Sequence, residues 1–532
     1  MRPQDAIRRA RTAARIGAGV VAHELGASPR RPPVARIALD RWTAQLRARP
    51  LPPVTRRVLV TALRNGTWME WAAYAACVLR RMGVATTLLH SGAQERAVGG
   101  RTPARWRFWN GVAAIPDVRT VDLDAWTDAS PGACPGLDAA VERIVRASVA
   151  YDRHVEEHDV ADDAATYGEA VAALRTRMMR AGNGIHAFLS RERFDQVVVL
   201  SGLIGETPGL LHGALAAGAP VVCVEGWAWR AGHMIYNHGA PALEYNVQGW
   251  LDALGAWDER KEREVDAYLR FVDGARPQDA AWLESFYRVQ RDAVGATLPE
   301  HVRAFTQRPG ALLLAAPNVV GDSSMLVRER AFRGQRDWLE ALVAHMRTRP
   351  QANLVVRAHP AEQWVGPGKC TVRAGELARR IAAGAPNVLV IGSEEPVNTF
   401  SLLPFARAGL VYLSSAGPEM VARGLPVVAA GRPKYEGLGI VEEPATRGAY
   451  FAAVDAHIAQ ATRPDAARSQ AAKRYLHLVF KGFSFPAHGA DFRAVSIDFA
   501  NPPEQAAHDR FYRIVAGLER GPDQGPAGGE GR

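Results

Sequence analysis

Lysine is nearly missing from this chain. Only Lys261, Lys369, Lys434, Lys473 and Lys481 occur among 65 basic residues, and the rest are arginine. Cysteine is scarce as well. Cys77, Cys134, Cys223 and Cys370 lie far apart with no CxxC spacing, which argues against a disulfide framework or a zinc site. Buried thiols acting as small hydrophobes in a reducing cytoplasm are expected instead. No apolar run reaches the roughly 18 residues that span a bilayer. The N-terminus has arginines but no apolar stretch of about 7–15 residues before a small-residue site, so no cleaved leader is expected. The fingerprint G-x-G-x-x-G is missing after the first strand; "NGTWMEW" stands there, which argues against an NAD-type enzyme. A DxD metal site is missing too, since the isolated "DLD" at 122–124 reads as surface sequence and no metal or other cofactor is expected.

What is present points to a globular protein of ordinary make-up. The 532 residues are 48% hydrophobic and 23% charged, which fits two domains or three. The net charge of +10 is localised: residues 1–60 hold 13 arginines against Asp5, Glu24 and Asp40, and the other 472 residues carry 52 charges of each sign. Nucleic acid would want a basic stripe across a folded face, so no nucleic-acid partner is expected. An arginine-rich arm, residues 1–50, can rest on anionic lipid at the inner face of the plasma membrane, or it is simply a solvated extension.

From Arg57 the pattern becomes regular. "RVLVTAL" is a buried-strand run, "NGTWMEWAAYAACVLRRMG" a turn and helix, and "VATTLLH" a second strand. This is a β-α-β unit. It recurs in "QVVVLSG", "TPGLLHGALAAGA" and "PVVCVEG", and again in "ALLLAAP", "QRDWLEALVAHMRTR", "NLVVRAHP", "NVLVIG", "GLVYLSS" and "PVVAAG". "LHGALAAGAPVVCVEG" and "EMVARGLPVVAAG" echo one another. The expected fold is α/β, with two doubly wound Rossmann-like domains facing a central cleft. The boundaries read as a basic arm 1–55, an N-terminal Rossmann-like domain 56–305 with a helical insertion, a C-terminal Rossmann-like domain 306–490, and an extension with a disordered tail 491–532.

Ligands of such sheets bind at the carboxyl ends of the strands. At one of these ends stands "LSSAGPEMVARG". Ser414, Ser415 and Gly417 form a turn, Pro418 suits a first helical position, and Glu419 follows. The turn reads as a phosphate cradle with Glu419 near ribose hydroxyls, or as a plain helix cap. At another end "NLVVRAHPAE" sends out Arg357, His359 and Glu362, with the histidine held by Pro360. A structural histidine is the alternative there.

"PNVVGDSSMLVRERAFRGQRDWLEALV", "RAHPAE" and "PVNTFSLLPFARAGLVYLSSAGPEMVARGLPVVAAGRPKYEGLGI", taken in that order, resemble the bacterial capsule polysaccharide biosynthesis proteins. That family comprises two-domain GT-B glycosyltransferases related to Kdo-transferase-like capsule proteins. The likeness covers about 310–490 well and 195–240 weakly. It departs from the family at Pro418, where a bulky aliphatic residue is common, and at "GIVEE", where the family often has G-F-T. The resemblance implies transfer of a sugar from a nucleotide-sugar donor to a growing capsular or lipid-linked glycan. It also implies donor contacts at Arg357, His359, Glu362, Ser414, Ser415, Gly417 and Glu419. Without a metal, the leaving phosphate would fall to Arg357, backbone N–H groups or Lys434. The candidate bases are Glu225, at the end of "PVVCVEG", and Asp322, with Glu206, His233 and His238 as neighbours of Glu225. "GWAWRAGHMIYNHG" is either a carbohydrate-contacting aromatic stretch or a buried cluster. Two rival functions stay open: a CDP-polyol phosphotransferase of teichoic-acid type, and a non-catalytic glycan-binding or scaffold protein.

Overall fold

The computed structural model describes residues 34–63, 66–91, 111–127, 133–226, 233–272, 298–363, 373–460, 462–487 and 503–522. Two compact units emerge. The first comprises 1–145, 169–249 and 484–532; the second comprises 146–168 and 250–483. Among the described residues no helix is long and apolar enough to cross a membrane.

The first unit is built on β1 (Arg56–Thr61), β2 (Val84–His90), β3 (Val118–Asp122), β4 (Gln196–Leu200), β5 (Val221–Gly226) and β6 (His233–His238). β1 to β5 run parallel, and β6 turns back antiparallel to β5. Val58, Leu59 and Val60, and Val197 to Val199, are wholly buried, as near-continuous apolar strands of a doubly covered sheet should be. The helix Gly66–Arg81 buries Trp71, Tyr74, Ala75 and Val78. The helix Thr207–Ala216 meets the long helix Ala164–Arg191 backbone to backbone. A Cβ on Gly209 would stand 2.2 Å from the Met178 carbonyl oxygen, and one on Gly213 2.2 Å from that of Gly182.

The second unit carries β7 (Ala311–Ala316), β8 (Ala352–Arg357), β9 (Val388–Ile391), β10 (Ala408–Val411) and β11 (Val427–Ala429), all parallel, in the order β11-β10-β7-β8-β9. One face is filled by the helix Gln335–Arg347, whose Trp338, Leu339, Leu342, Val343 and Met346 sit at helical spacing and are all buried. Trp338 Nε1 donates to Tyr450 Oη at 2.8 Å, so the one polar atom in that indole is satisfied. The echo noted in the sequence has a common geometry. Gly218 and Gly424, each just past a helix, take φ of +70° and +83° and end it in the left-handed conformation.

Both sheets are therefore doubly wound, as expected, the second wholly parallel and the first parallel from β1 to β5 with an antiparallel edge, while the segment assignments differ in three places. The helix Glu259–Val272, read as an insertion in the first domain, packs in the second unit on the helix Ala466–His477. Glu264 accepts from His477 at 2.8 Å and from Lys481 at 2.6 Å, and the Tyr268 and Phe480 rings stack at 3.4 Å. The rest of that insertion, 273–297, lies outside the described residues.

The basic arm is folded at its end. Val34–Arg47 is a helix, Trp42 and Leu46 are buried, and Trp42 meets Tyr74 edge-on at 4.8 Å. Residues 1–33 lie outside the described residues, as do Cys370 and the tail 523–532. The C-terminal extension returns to the first unit. β12 (Phe485–Pro486) pairs antiparallel with β6, and the helix Arg510–Val515 sets Phe511 and Tyr512 near Trp71 and Tyr74 at 6.5 and 6.4 Å. Apolar periodicity in so short a helix is too brief to announce it.

Candidate functional site

Chain order defines where a ligand belongs in the second unit. The chain lays down β7, β8 and β9 outward on one side, then crosses back to place β10 and β11 on the other. The reversal falls between β7 and β10, and a crevice opens there at the carboxyl ends. Asn318 clips its two walls together. Its Oδ1 accepts from the Leu413 N–H at 3.1 Å, its own N–H donates to Gln335 Oε1 at 2.6 Å, and its carbonyl accepts from Gln335 Nε2 at 3.0 Å.

Asp322 stands on this rim, exposed, its carboxylate accepting from the Ser324 N–H at 2.8 Å. Its charge acts on two histidines, His359 and His154. His359 keeps partial exposure, yet desolvation by its packed surroundings pushes it down to about 4, against the opposing pull of Asp322. It is therefore a neutral imidazole at pH 7. His154 is lowered as well, again chiefly by burial. It adopts φ of 51°, and Gly321 presses so close that a Cβ there would stand 2.4 Å from His154 Cα. Sequence reasoning passed over His154, which lies in a helical stretch with nothing local to mark it.

Of the predicted donor contacts, several serve the fold. Arg357 is 2% exposed. Its guanidinium donates to the carbonyls of Ala358 at 2.7 Å, Gly392 at 2.6 Å and Val397 at 3.1 Å, and burial lowers it to about 10. Glu362 is buried, accepting from the Ala374 N–H at 2.7 Å and the Gly375 N–H at 3.3 Å at the start of the helix Ala374–Ala382. Glu419 is buried and accepts from the Tyr268 phenol rather than facing the crevice. Ser414 turns inward: its Oγ accepts from the Ala416 N–H at 3.3 Å and its carbonyl from Tyr435 Oη at 2.7 Å. Gly417 makes room for that tyrosine, since a Cβ would meet Tyr435 Oη at 2.4 Å. The helix that follows, Ala416–Ala422, is seven residues long. Ser415 is exposed, and half-buried Lys434 precedes Tyr435 on the adjoining loop. Asp322 and His359 are thus close enough for one charge to act on the other, while Arg357, Glu362, Ser414, Gly417 and Glu419 are engaged inside the unit.

Glu225 belongs to the first unit, half-buried at the end of β5, where its charge helps burial push the Cys223 thiol upward. In the stretch "GWAWRAGHMIYNHG", residues 233–238 form the strand β6, and 227–232 lie outside the described residues. Glu206 is held by Arg177 at 2.7 Å. In "DLD", Asp122 Oδ1 accepts from the Asp124 N–H at 3.0 Å and Asp124 from Ser91 Oγ at 3.0 Å, so both carboxylates shape a turn. Among the described residues no group of three or more His, Cys, Asp or Glu side chains is placed to hold a metal ion.

Two doubly wound Rossmann-like sheets, one reversing its strand order between β1 and β4 and the other between β7 and β10, define an α/β protein. Against known proteins, no family model matches the chain and no curated protein matches it. Solved structures do resemble it. KpsC of Thermosulfurimonas dismutans, a beta Kdo 2,7 transferase, is 13% identical, covering 62% of this chain and 88% of that one at a TM-score of 0.33. UDP-GlcNAc 2-epimerase from Neisseria meningitidis, bound to UDP-GlcNAc, is 11% identical, with 80% and 98% covered and a TM-score of 0.24. MnaA of S. aureus, solved with UDP, is 10% identical, with 81% and 94% covered and a TM-score of 0.26. At such values the chemistry has to be read from the residues themselves.

Proposed function

We propose that the protein is a glycosyltransferase whose second unit binds a nucleotide-sugar donor at the reversal between β7 and β10. The observation that carries this reading is the set of polar groups that follow β7, β8 and β10 in the chain: Asp322, neutral His359 and exposed Ser415. A neutral imidazole can donate to a phosphate oxygen or accept a proton, which a permanently charged group cannot do. Asp322 is the candidate base in this unit, with Glu225 the alternative in the other. Lys434 and backbone N–H groups are the candidates to meet the leaving phosphate, because the Arg357 guanidinium is spent on carbonyls. In this reading no metal is required, and nucleotide binding that vanishes with EDTA overturns that part.

The resemblance of the motifs to capsule polysaccharide proteins supports a growing surface polysaccharide or lipid-linked glycan as acceptor. The arginines of residues 1–33 support a peripheral position at the inner face of the plasma membrane. One observation favours a second reading, a glycan-binding scaffold: Arg357, Glu362 and Glu419 are all engaged inside the fold.

A thermal-shift screen with CMP, CDP, UDP, GDP and their sugar conjugates tests the proposal, since a ligand of the native state raises the melting temperature. A shift with one nucleotide sugar is expected. A shift with CDP-polyols alone favours the teichoic-acid type of transfer, and no shift with any of them favours the scaffold.

A further inference from the structure

The second unit also holds a pocket of 440 Å³ walled by Arg146, Glu157, Glu329, Arg330, Asp337 and Arg447. It lies near the crevice: Tyr412, two residues before Ser414, has its phenol raised by burial and by the charges of Glu329, Asp337 and Glu157. The volume is that of a small-molecule site, though the lining is charged rather than apolar. Phe332 borders it but is 3% exposed, its ring set edge-on to Tyr450.

The polar groups are arranged in pairs. Arg447 Nη2 donates to both oxygens of Asp337 at 2.6 and 2.7 Å, and Arg330 to Glu436 at 3.1 Å. Each guanidinium has five N–H donors, so donors remain after these bonds. Glu157 is different. Its Oε2 is enclosed and meets no donor. The Glu329 carboxyl lies within hydrogen-bonding reach, and a bond there needs a proton on one of the two. Nearby Val327, a β-branched residue, holds φ of 56°, the kind of strained backbone that collects at functional sites.

We propose that this pocket is a saccharide subsite, in which a neutral, hydroxyl-rich sugar residue lays one hydroxyl across Glu157 and Glu329 and others against the N–H groups of Arg146 and Arg330. A hydroxyl both donates and accepts, which suits a wall of acceptor-only carboxylates alternating with donor-only guanidiniums. A phosphate would face Glu157, Glu329 and Asp337 at close range. An apolar guest would strand charges without solvent. The subsite goes beyond the donor site and does not require it.

The test is saturation-transfer NMR on the full chain with glucose, galactose, mannose, N-acetylglucosamine and glucuronate, and separately with UDP and inorganic phosphate. Transfer to at least one neutral sugar is expected. It should vanish in Ala161→Trp, which fills the mouth from an exposed helical position, and weaken at least about fivefold in Glu329→Ala. Circular dichroism should be unchanged in both. UDP transfer should be the same in the variants and the parent, so a failed donor site and a failed subsite are told apart. Binding of glucuronate or phosphate alone, of no sugar, or of neutral sugar undiminished in Ala161→Trp overturns the proposal.

Discussion

Nη1 of Arg357 donates to the Gly392 carbonyl oxygen at 2.6 Å, tying the end of β8 to the end of β9. Arg357→Ala should therefore cost stability first, by about 3 kcal/mol, because it leaves buried carbonyls without donors. Urea denaturation measures this. A variant as stable as the parent but unable to bind nucleotide would return Arg357 to the ligand.

His359 and Ser415 are expected to behave in the opposite way. His359→Ala and Ser415→Ala should each weaken nucleotide binding about tenfold, the worth of roughly one good hydrogen bond in a desolvated site, with the melting temperature unchanged. Calorimetric titration of both variants decides it. Parental affinity in both would remove the donor site from this crevice.

Glu156 supplies a pH signature. Its Oε1 accepts from the Arg336 N–H at 2.8 Å at the start of the helix Gln335–Arg347, while burial raises its carboxyl to about 7 from an ordinary 4.5. Between those values the unfolded chain gives up its proton and the native chain keeps it. Stability therefore falls as pH rises through that window and levels off above it. Glu156→Gln removes its share of the dependence, while Glu157, raised to about 7 chiefly by burial, keeps its own. Relative to the parent, the variant should gain about 3 kcal/mol between pH 4.5 and 8. Parallel pH curves for the two proteins would refute a raised carboxyl.

Trp42 tests the end of the arm. It is 2% exposed against Tyr74, so Trp42→Ala should cost about 3–5 kcal/mol in the first unit. Removing residues 1–33 leaves that contact in place and is the proper test of the membrane proposal. Vesicle binding undiminished by that deletion would sink the lipid role.

The layered architecture was legible because parallel strands announce themselves. Val197 to Val199 and Leu312 to Leu314 are apolar at every position, and glycines follow the helices between them. The inventory of the crevice was legible only in part. "RAHPAE" shows three functional groups at a strand end but not which way each turns, and the structure spends Arg357 and Glu362 inward. His154 and Glu156 were illegible for another reason. They reach β7 and the helix Gln335–Arg347 from far upstream, with 180 residues separating Glu156 from Arg336, and no spacing rule reads across such a distance.

The first unit is stitched from three stretches, and the last begins at Ser484, after the second unit has ended at Phe483. A ribosome therefore makes the whole second unit before it makes β12 or the aromatic pair Phe511 and Tyr512. Until then β6 lacks its outer neighbour, and Trp71 and Tyr74 lack part of their cover. The half of the protein that is made first is thus the half that matures last. A chain that ends at Phe483, once released from the ribosome, should carry a finished second unit and an N-terminal portion that chaperones still hold.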